Sequence, residues 1–184
     1  LAWNNQIPNS NSGVATITTT TKNGDTTLGS SSTSLTVNVP QIEELNPTLS
    51  FSTSDDNGYA STFGKYLVGQ SKIKVTGTET GQYGATIKSR SITMNGETYT
   101  ANPSTSNVLS SVNNTSIEYS ITDSRGRTTV KTSTIPTYAY TPPKITSFIT
   151  PVRWSNSLSS GVEKNNGDYA KVSFGFEIDT ELAG

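Results

Sequence analysis

The chain has 184 residues, 13 of them basic and 14 acidic, and contains neither Cys nor His. Those absences exclude disulfides, thiol nucleophiles, imidazole-ligated metals and Ser-His-Asp chemistry within it, and the near-neutral balance gives no electrostatic case for nucleic acid. Only 30% of residues are hydrophobic while Ser and Thr approach a third, which predicts a thin-cored β protein with β-branched Thr on its solvent faces.

In chain order, Lys22-Asn23-Gly24-Asp25 is the first turn signal, since Gly tolerates positive φ. Leu35, Val37 and Val39 then alternate with polar residues, which predicts one buried face of a strand. Glu43 to Leu45 has room for a single helical turn before Asn46-Pro47, because proline disfavours the α region for its predecessor. Asp55-Asp56-Asn57-Gly58 reads as a turn. Its clustered oxygens would also suit calcium, but the spacing fits no EF-hand loop. Ile73 and Val75 alternate with Lys72 and Lys74. Gly77, Gly81 and Gly84 read as a flexible loop, since no strand-loop-helix pattern or Lys-Ser/Thr ending makes them a phosphate cradle.

Asn95-Gly96, between Ser91–Met94 and Glu97–Thr100, is the strongest hairpin signal. Asn113-Asn114-Thr115-Ser116 holds overlapping glycosylation sequons, which arise easily by chance in so Ser/Thr-rich a chain. Ile117, Tyr119 and Ile121 form the next alternating row. It leads into Asp123-Ser124-Arg125-Gly126-Arg127. As a site, that cluster would grip a carboxylate or phosphate through planar guanidinium forks. As a hairpin tip, Asp123 starts the turn, Gly126 supplies positive φ and the arginines point to water. Arg153-Trp154 offers either a sugar-stacking surface or a core anchor. Asn165-Asn166-Gly167-Asp168 is a further turn, and Asp168 with its neighbours a second conceivable calcium site. Val172, Phe174, Phe176 and Ile178 make the clearest alternating row. No stretch approaches the roughly 20 apolar residues of a membrane-spanning helix.

The chain also repeats itself. Thr21 to Leu28 lies over Asp123 to Val130, aligning Gly24 with Gly126, and Asn46 to Phe51 resembles Pro142 to Phe148. The first copy keeps the glycine and has Lys22 and Asp25 where the second has Arg125 and Arg127, which favours the turn reading. The period suits tandem domains of immunoglobulin size, about 100 residues. The expected division is a C-terminal part of a preceding domain over 1–45, a complete domain over 46–142 and the start of another over 143–184. The Pro-bearing seams Pro40–Pro47 and Pro136–Pro143 should be short and stiff. A start without Met makes a fragment of a longer polypeptide the expectation.

One family resemblance rests on several stretches taken together. These are Tyr66 to Val75, Tyr83 to Ile87, Ile121 to Thr128 and Tyr138 to Pro143, with Ile145 to Arg153 and Asn166 to Val172 following. They resemble the repeated Ig-like module of structural tail proteins from siphophages of Gram-positive bacteria. Lys22-Asn23-Gly24-Asp25 departs from that family's acid-Ser-Arg-Gly pattern. The resemblance implies tandem immunoglobulin-like β-sandwich domains in a virion tail or its tip, and it carries no catalytic residues to transfer. The expectation is therefore an all-β, non-catalytic structural or adhesive tail component, oligomeric in the particle. Its partners would be other tail proteins and host cell-wall polysaccharide, with no nucleic acid, membrane, metal or cofactor. The alternative is a bacterial surface adhesin or carbohydrate-binding module on the same fold. A glycosidase ranks below both, because nothing places two of the acids on one pocket.

Overall fold

A computed structural model describes residues 2–100, 107–108, 115–155 and 161–182. Their contacts group the chain into two units, Leu1–Tyr138 and Ala139–Gly184. Among the described residues the secondary structure is all-β, apart from one five-residue helix and two 3₁₀ turns.

The first unit opens with a 3₁₀ turn, Ala2–Gln6. A long hairpin follows, β1 (Ser12–Asn23) and β2 (Thr26–Asn38). Gly24 sits at φ 59° in its two-residue loop, where only glycine avoids the Cβ clash cheaply. The hairpin is exposed over most of its length. Leu35 is 52% exposed, Val37 partly buried and Val39 buried, so the row expected on a buried face meets the core only at its C-terminal end. The reason is geometric: among the described residues no second sheet covers the arm, and across the strand Leu35 and Val37 meet only Ala15 and Gly13.

A 3₁₀ turn at Glu43–Leu45 ends at Asn46, whose extended backbone (φ −70°, ψ 146°) precedes Pro47 as proline requires. Then come β3 (Thr48–Asp55), the helix α1 (Tyr59–Phe63), β4 (Tyr66–Leu67), β5 (Lys72–Thr80), β6 (Ile87–Met94), β7 (Glu97–Tyr99), β8 (Asn107–Val108), β9 (Thr115–Asp123), β10 (Thr128–Ile135) and β11 (Thr137–Tyr138). They form a three-stranded sheet, β3-β5-β8, a four-stranded sheet, β10-β9-β6-β7, and a short parallel pair, β11-β4. Asn95 and Gly96 both take positive φ, 52° and 78°, as the tight β6–β7 hairpin demands.

The core lies between the two larger sheets. Ile73 and Val75 of β5 join Ile92 and Met94 of β6 and Ile117, Tyr119 and Ile121 of β9, all with no exposed surface. Each such aliphatic side chain contributes about 1.5–3 kcal/mol relative to exposure. Phe51 packs on Tyr119 at 5.7 Å between ring centroids. Gly77 lies in β5 directly against the Tyr119 ring. It is therefore part of a strand and not of the flexible loop expected there.

The second unit contains one hairpin, β12 (Lys144–Trp154) and β13 (Tyr169–Glu177), paired antiparallel with two bulges. Its alternation is as expected and its burial is not. Val172, Phe174, Phe176 and Ile178 are 48–61% exposed, because the described residues of this unit supply no second sheet to cover them.

Candidate functional site

A polar cluster in the first unit is built around the turn from β9 to β10. The odd-numbered residues Thr115 to Arg127 are all buried. The row that begins as Ile117, Tyr119 and Ile121 thus continues through Asp123, Arg125 and Arg127. Asp123 accepts Arg127 N–H and Arg125 N–H through Oδ1, each at 2.9 Å. Gly126, at φ 84°, closes the turn with its N–H on Asp123 O. This much is the hairpin chemistry that the sequence suggests.

The arginines depart from it. Arg125 and Arg127 are 4% and 5% exposed, so they do not point to water. Arg125 donates from Nε to Ile7 O, from Nη1 to Gln82 O, and from Nη2 to both Asn4 O and Tyr83 O, over 2.6–2.9 Å. Arg127 donates from Nη1 to Leu45 O at 3.2 Å and from Nη2 to Pro40 O at 2.8 Å, with Asn11 Oδ1 at 3.4 Å. Ser124 Oγ donates to Pro8 O and accepts from Thr86 N–H, and Asn11 Nδ2 donates to Arg125 O. One turn therefore clasps three stretches: residues 4–11, residues 40–45 and the loop at 82–86. That loop is held, not free.

Carbonyl dipoles take the place of water around the two cations. A planar fork suits this task because it presents several donors in fixed directions. Burial lowers the Arg125 pKa, and Arg127 adds to the effect by repulsion while Asp123 opposes it. Asp123 Oδ2 and Arg127 Nε are buried without a hydrogen-bond partner, so the clasp carries an internal cost.

A second buried polar group lies on the core-facing side of β5. Glu79 accepts from Arg90 Nε and from the Tyr119 hydroxyl, with its side chain only 3% exposed. Burial, and then the Glu79 hydrogen bond, push the Tyr119 phenol above its ordinary pKa. Alternation identifies Tyr119 as a core residue. It gives no hint of Glu79, on another strand 40 positions away.

The remaining candidates resolve individually. Asp55 is saturated by donors: Oδ1 accepts from Asn57 N–H and Lys72 N–H, and Oδ2 from Ala60 N–H and the Ser71 hydroxyl. Among the described residues no group of three or more Asp or Glu could hold a metal ion. Arg153 reaches Asn165 O, and the Lys171 ammonium covers one face of the Trp154 ring at 4.2 Å. Asn113 and Asn114 of the sequons lie outside the described residues. Sequence reasoning missed Trp3, which is 63% exposed. It lines an open cavity of about 630 Å³ with Gln6, Ile7, Val14 and Val37.

A family model described as a siphovirus protein of unknown function (DUF859) matches residues 1–158. The chain belongs to this family. The matched span takes in β1–β2, the clasp and β12. No curated protein and no solved structure matches the chain. No helix among the described residues is long and apolar enough to cross a membrane.

Proposed function

We propose that this siphovirus protein is a non-catalytic structural component of the phage tail. In this reading its β modules are Ig-like and act as spacers, and exposed loops contact the host surface. Residues 46–142 form a complete module, 1–45 close a preceding one and 143–184 open the next. The observation that carries the reading is the clasp. The most deeply buried cations of the chain grip its own backbone at Asn4, Ile7, Pro40, Leu45, Gln82 and Tyr83. Such an arrangement stiffens a junction and leaves few guanidinium donors for a ligand. A rod that transmits position needs junctions of this kind, and the clasped Pro40–Leu45 segment supplies one. Other tail proteins are the expected partners.

Antibody against the chain, applied to intact particles and viewed with immunogold, tests the placement. Label along the tail or at its tip is the expected result. Label on the head, or no protein in purified particles, would overturn it. Release of reducing sugar from host wall by purified protein, abolished by an acidic substitution, would overturn the non-catalytic part. A carbohydrate-binding role on the same scaffold is the second reading. It is favoured by exposed Trp3 beside its cavity, and glycan-array binding lost in Trp3→Ala would support it.

A further inference from the structure

The chain holds four Asn-Gly pairs: Asn23-Gly24, Asn57-Gly58, Asn95-Gly96 and Asn166-Gly167. In such a pair the glycine nitrogen can attack the asparagine Cγ, because glycine has no side chain to obstruct the approach. The reaction needs a glycine N–H that can give up its proton and a side-chain amide that can turn towards it. It also needs solvent at Oδ1, where the oxyanion forms. The fold grants these conditions unequally.

At Asn57-Gly58 both reacting groups are engaged. Asn57 Nδ2 donates to Gln70 O at 2.7 Å, and Gly58 N–H donates to Asp55 O at 3.1 Å. At Asn166-Gly167 the glycine N–H donates to Lys164 O at 2.9 Å. A Cβ at Gly167 would sit 2.3 Å from Trp154 O, so this glycine is pressed against backbone and has no room to swing. At Asn95-Gly96 the asparagine Oδ1 is buried, which penalises the charge that attack would place on it. Asn23-Gly24 carries none of these restraints. Asn23 is exposed at the tip of the β1–β2 arm. Among the described residues no hydrogen bond holds its side chain or the Gly24 N–H, and a Cβ at Gly24 would meet nothing within 4 Å.

We infer that Asn23 is a site of spontaneous self-modification. Gly24 N bonds to Asn23 Cγ, the Cγ–Nδ2 bond breaks, and Nδ2 leaves as ammonia with the proton from Gly24. Water then opens the succinimide. Addition at Cγ breaks the new bond and gives aspartate. Addition at the backbone carbonyl breaks the original peptide bond and gives isoaspartate, with the main chain rerouted through Cβ and Cγ. Water is the only co-reactant. Isoaspartate lengthens the backbone at a two-residue loop whose closing pair is Asn23 and Thr26. Such loops accept few backbone twists, so the outermost pair of the arm should open. The inference stands whether or not the protein belongs to the tail.

Peptide mapping by mass spectrometry of the full chain, held in warm, mildly alkaline buffer, tests it. Conversion at Asn23 should run several-fold ahead of conversion at Asn57, Asn95 and Asn166. In concentrated guanidinium chloride the restraints vanish, and the four rates should draw together. Asn23→Gln would have to close a larger, slower-forming ring. It should remove the early product and leave the other three sites unchanged. Equal rates at the four sites in the folded chain would overturn the inference, as would any of the other three reacting first. An Asn23 that stays intact in the folded chain while the unfolded chain converts would also sink it. A lead for Asn23 that persists undiminished in the denaturant would assign the order to local sequence and not to the fold, and the inference would fall on that result too.

Discussion

Replacing Arg125 by lysine keeps the charge and discards the fork. The four carbonyls it reaches, those of Asn4, Ile7, Gln82 and Tyr83, diverge too widely for one ammonium. Several would then be left buried without a donor, at about 1–3 kcal/mol for each unsatisfied group. Arg125→Lys should therefore lower unfolding free energy by about 2–4 kcal/mol, read as a fall in the urea midpoint. Exposed Arg153→Lys should stay within about 0.5 kcal/mol. Were Arg125 held for a ligand instead, its substitution would leave stability unchanged. Asp55 gives a prediction with a pH signature. Burial raises its pKa, but hydrogen bonds from Ser71, Lys72, Asn57 and Ala60 together hold it below the ordinary value of 3.8. A carboxylate with a depressed folded pKa contributes stability that is fully present above the unfolded pKa. That contribution is lost as pH falls through the folded pKa. Asp55→Asn should thus be less stable than wild type at neutral pH by about 1–3 kcal/mol. The gap should narrow only below pH 3.8, as shown by urea midpoints taken across the acid range.

At the scale of single elements, two glycines in strands make opposite predictions. A Cβ at Gly77 of β5 would sit 2.4–2.9 Å from Tyr119 ring and hydroxyl atoms, while one at Gly29 of β2 would meet nothing within 4 Å. Gly77→Ala should cost about 1–3 kcal/mol by overpacking. Gly29→Ala should be neutral or stabilising by about 0.4–1 kcal/mol, since it only restricts the unfolded chain. Thermal unfolding of the two variants separates these outcomes. The contrast also marks what the sequence made legible. Period two placed Ile73, Val75, Ile117, Tyr119 and Ile121 in a core, because a pleated strand fixes which side chains share a face. It could not say which faces find a cover, so Leu35 and Phe174 carry the same pattern and stand exposed. The arginines were legible in part. They continue the odd-numbered buried row from Ile117, but their carbonyl partners lie up to 121 residues away, and backbone acceptors leave no mark in a sequence. The aligned Lys22 and Asp25 also misled, since their hairpin is exposed and gives no guide to a turn buried under other segments.

Across the first unit, burial divides residues 1–45 into two mechanical parts. The clasped stretches, 4–11 and 40–45, supply Asn4 O, Ile7 O, Pro8 O, Pro40 O and Leu45 O to Arg125, Ser124 and Arg127. The β1–β2 arm between them is exposed from Thr16 to Thr36 and adds no residue to the core cluster. Shortening the arm from Thr16–Ser34 to a tight Asn-Gly turn leaves every clasp partner in place. It also shortens a loop, a change that loop-closure entropy makes mildly favourable. That variant should keep the unfolding free energy of the first unit within about 1 kcal/mol of wild type. A chain beginning at Pro47 loses all five carbonyls at once. Arg125 and Arg127 then face either water or an incomplete set of acceptors, and the loss should be about 3–5 kcal/mol, as for a broken buried charge pair. Amide exchange at Gln82–Thr86 should rise sharply in the truncated chain and stay unchanged in the shortened one. Equal stability of the two variants would mean that the clasp holds nothing together, and the stiff-junction account of this siphovirus protein would fall with it.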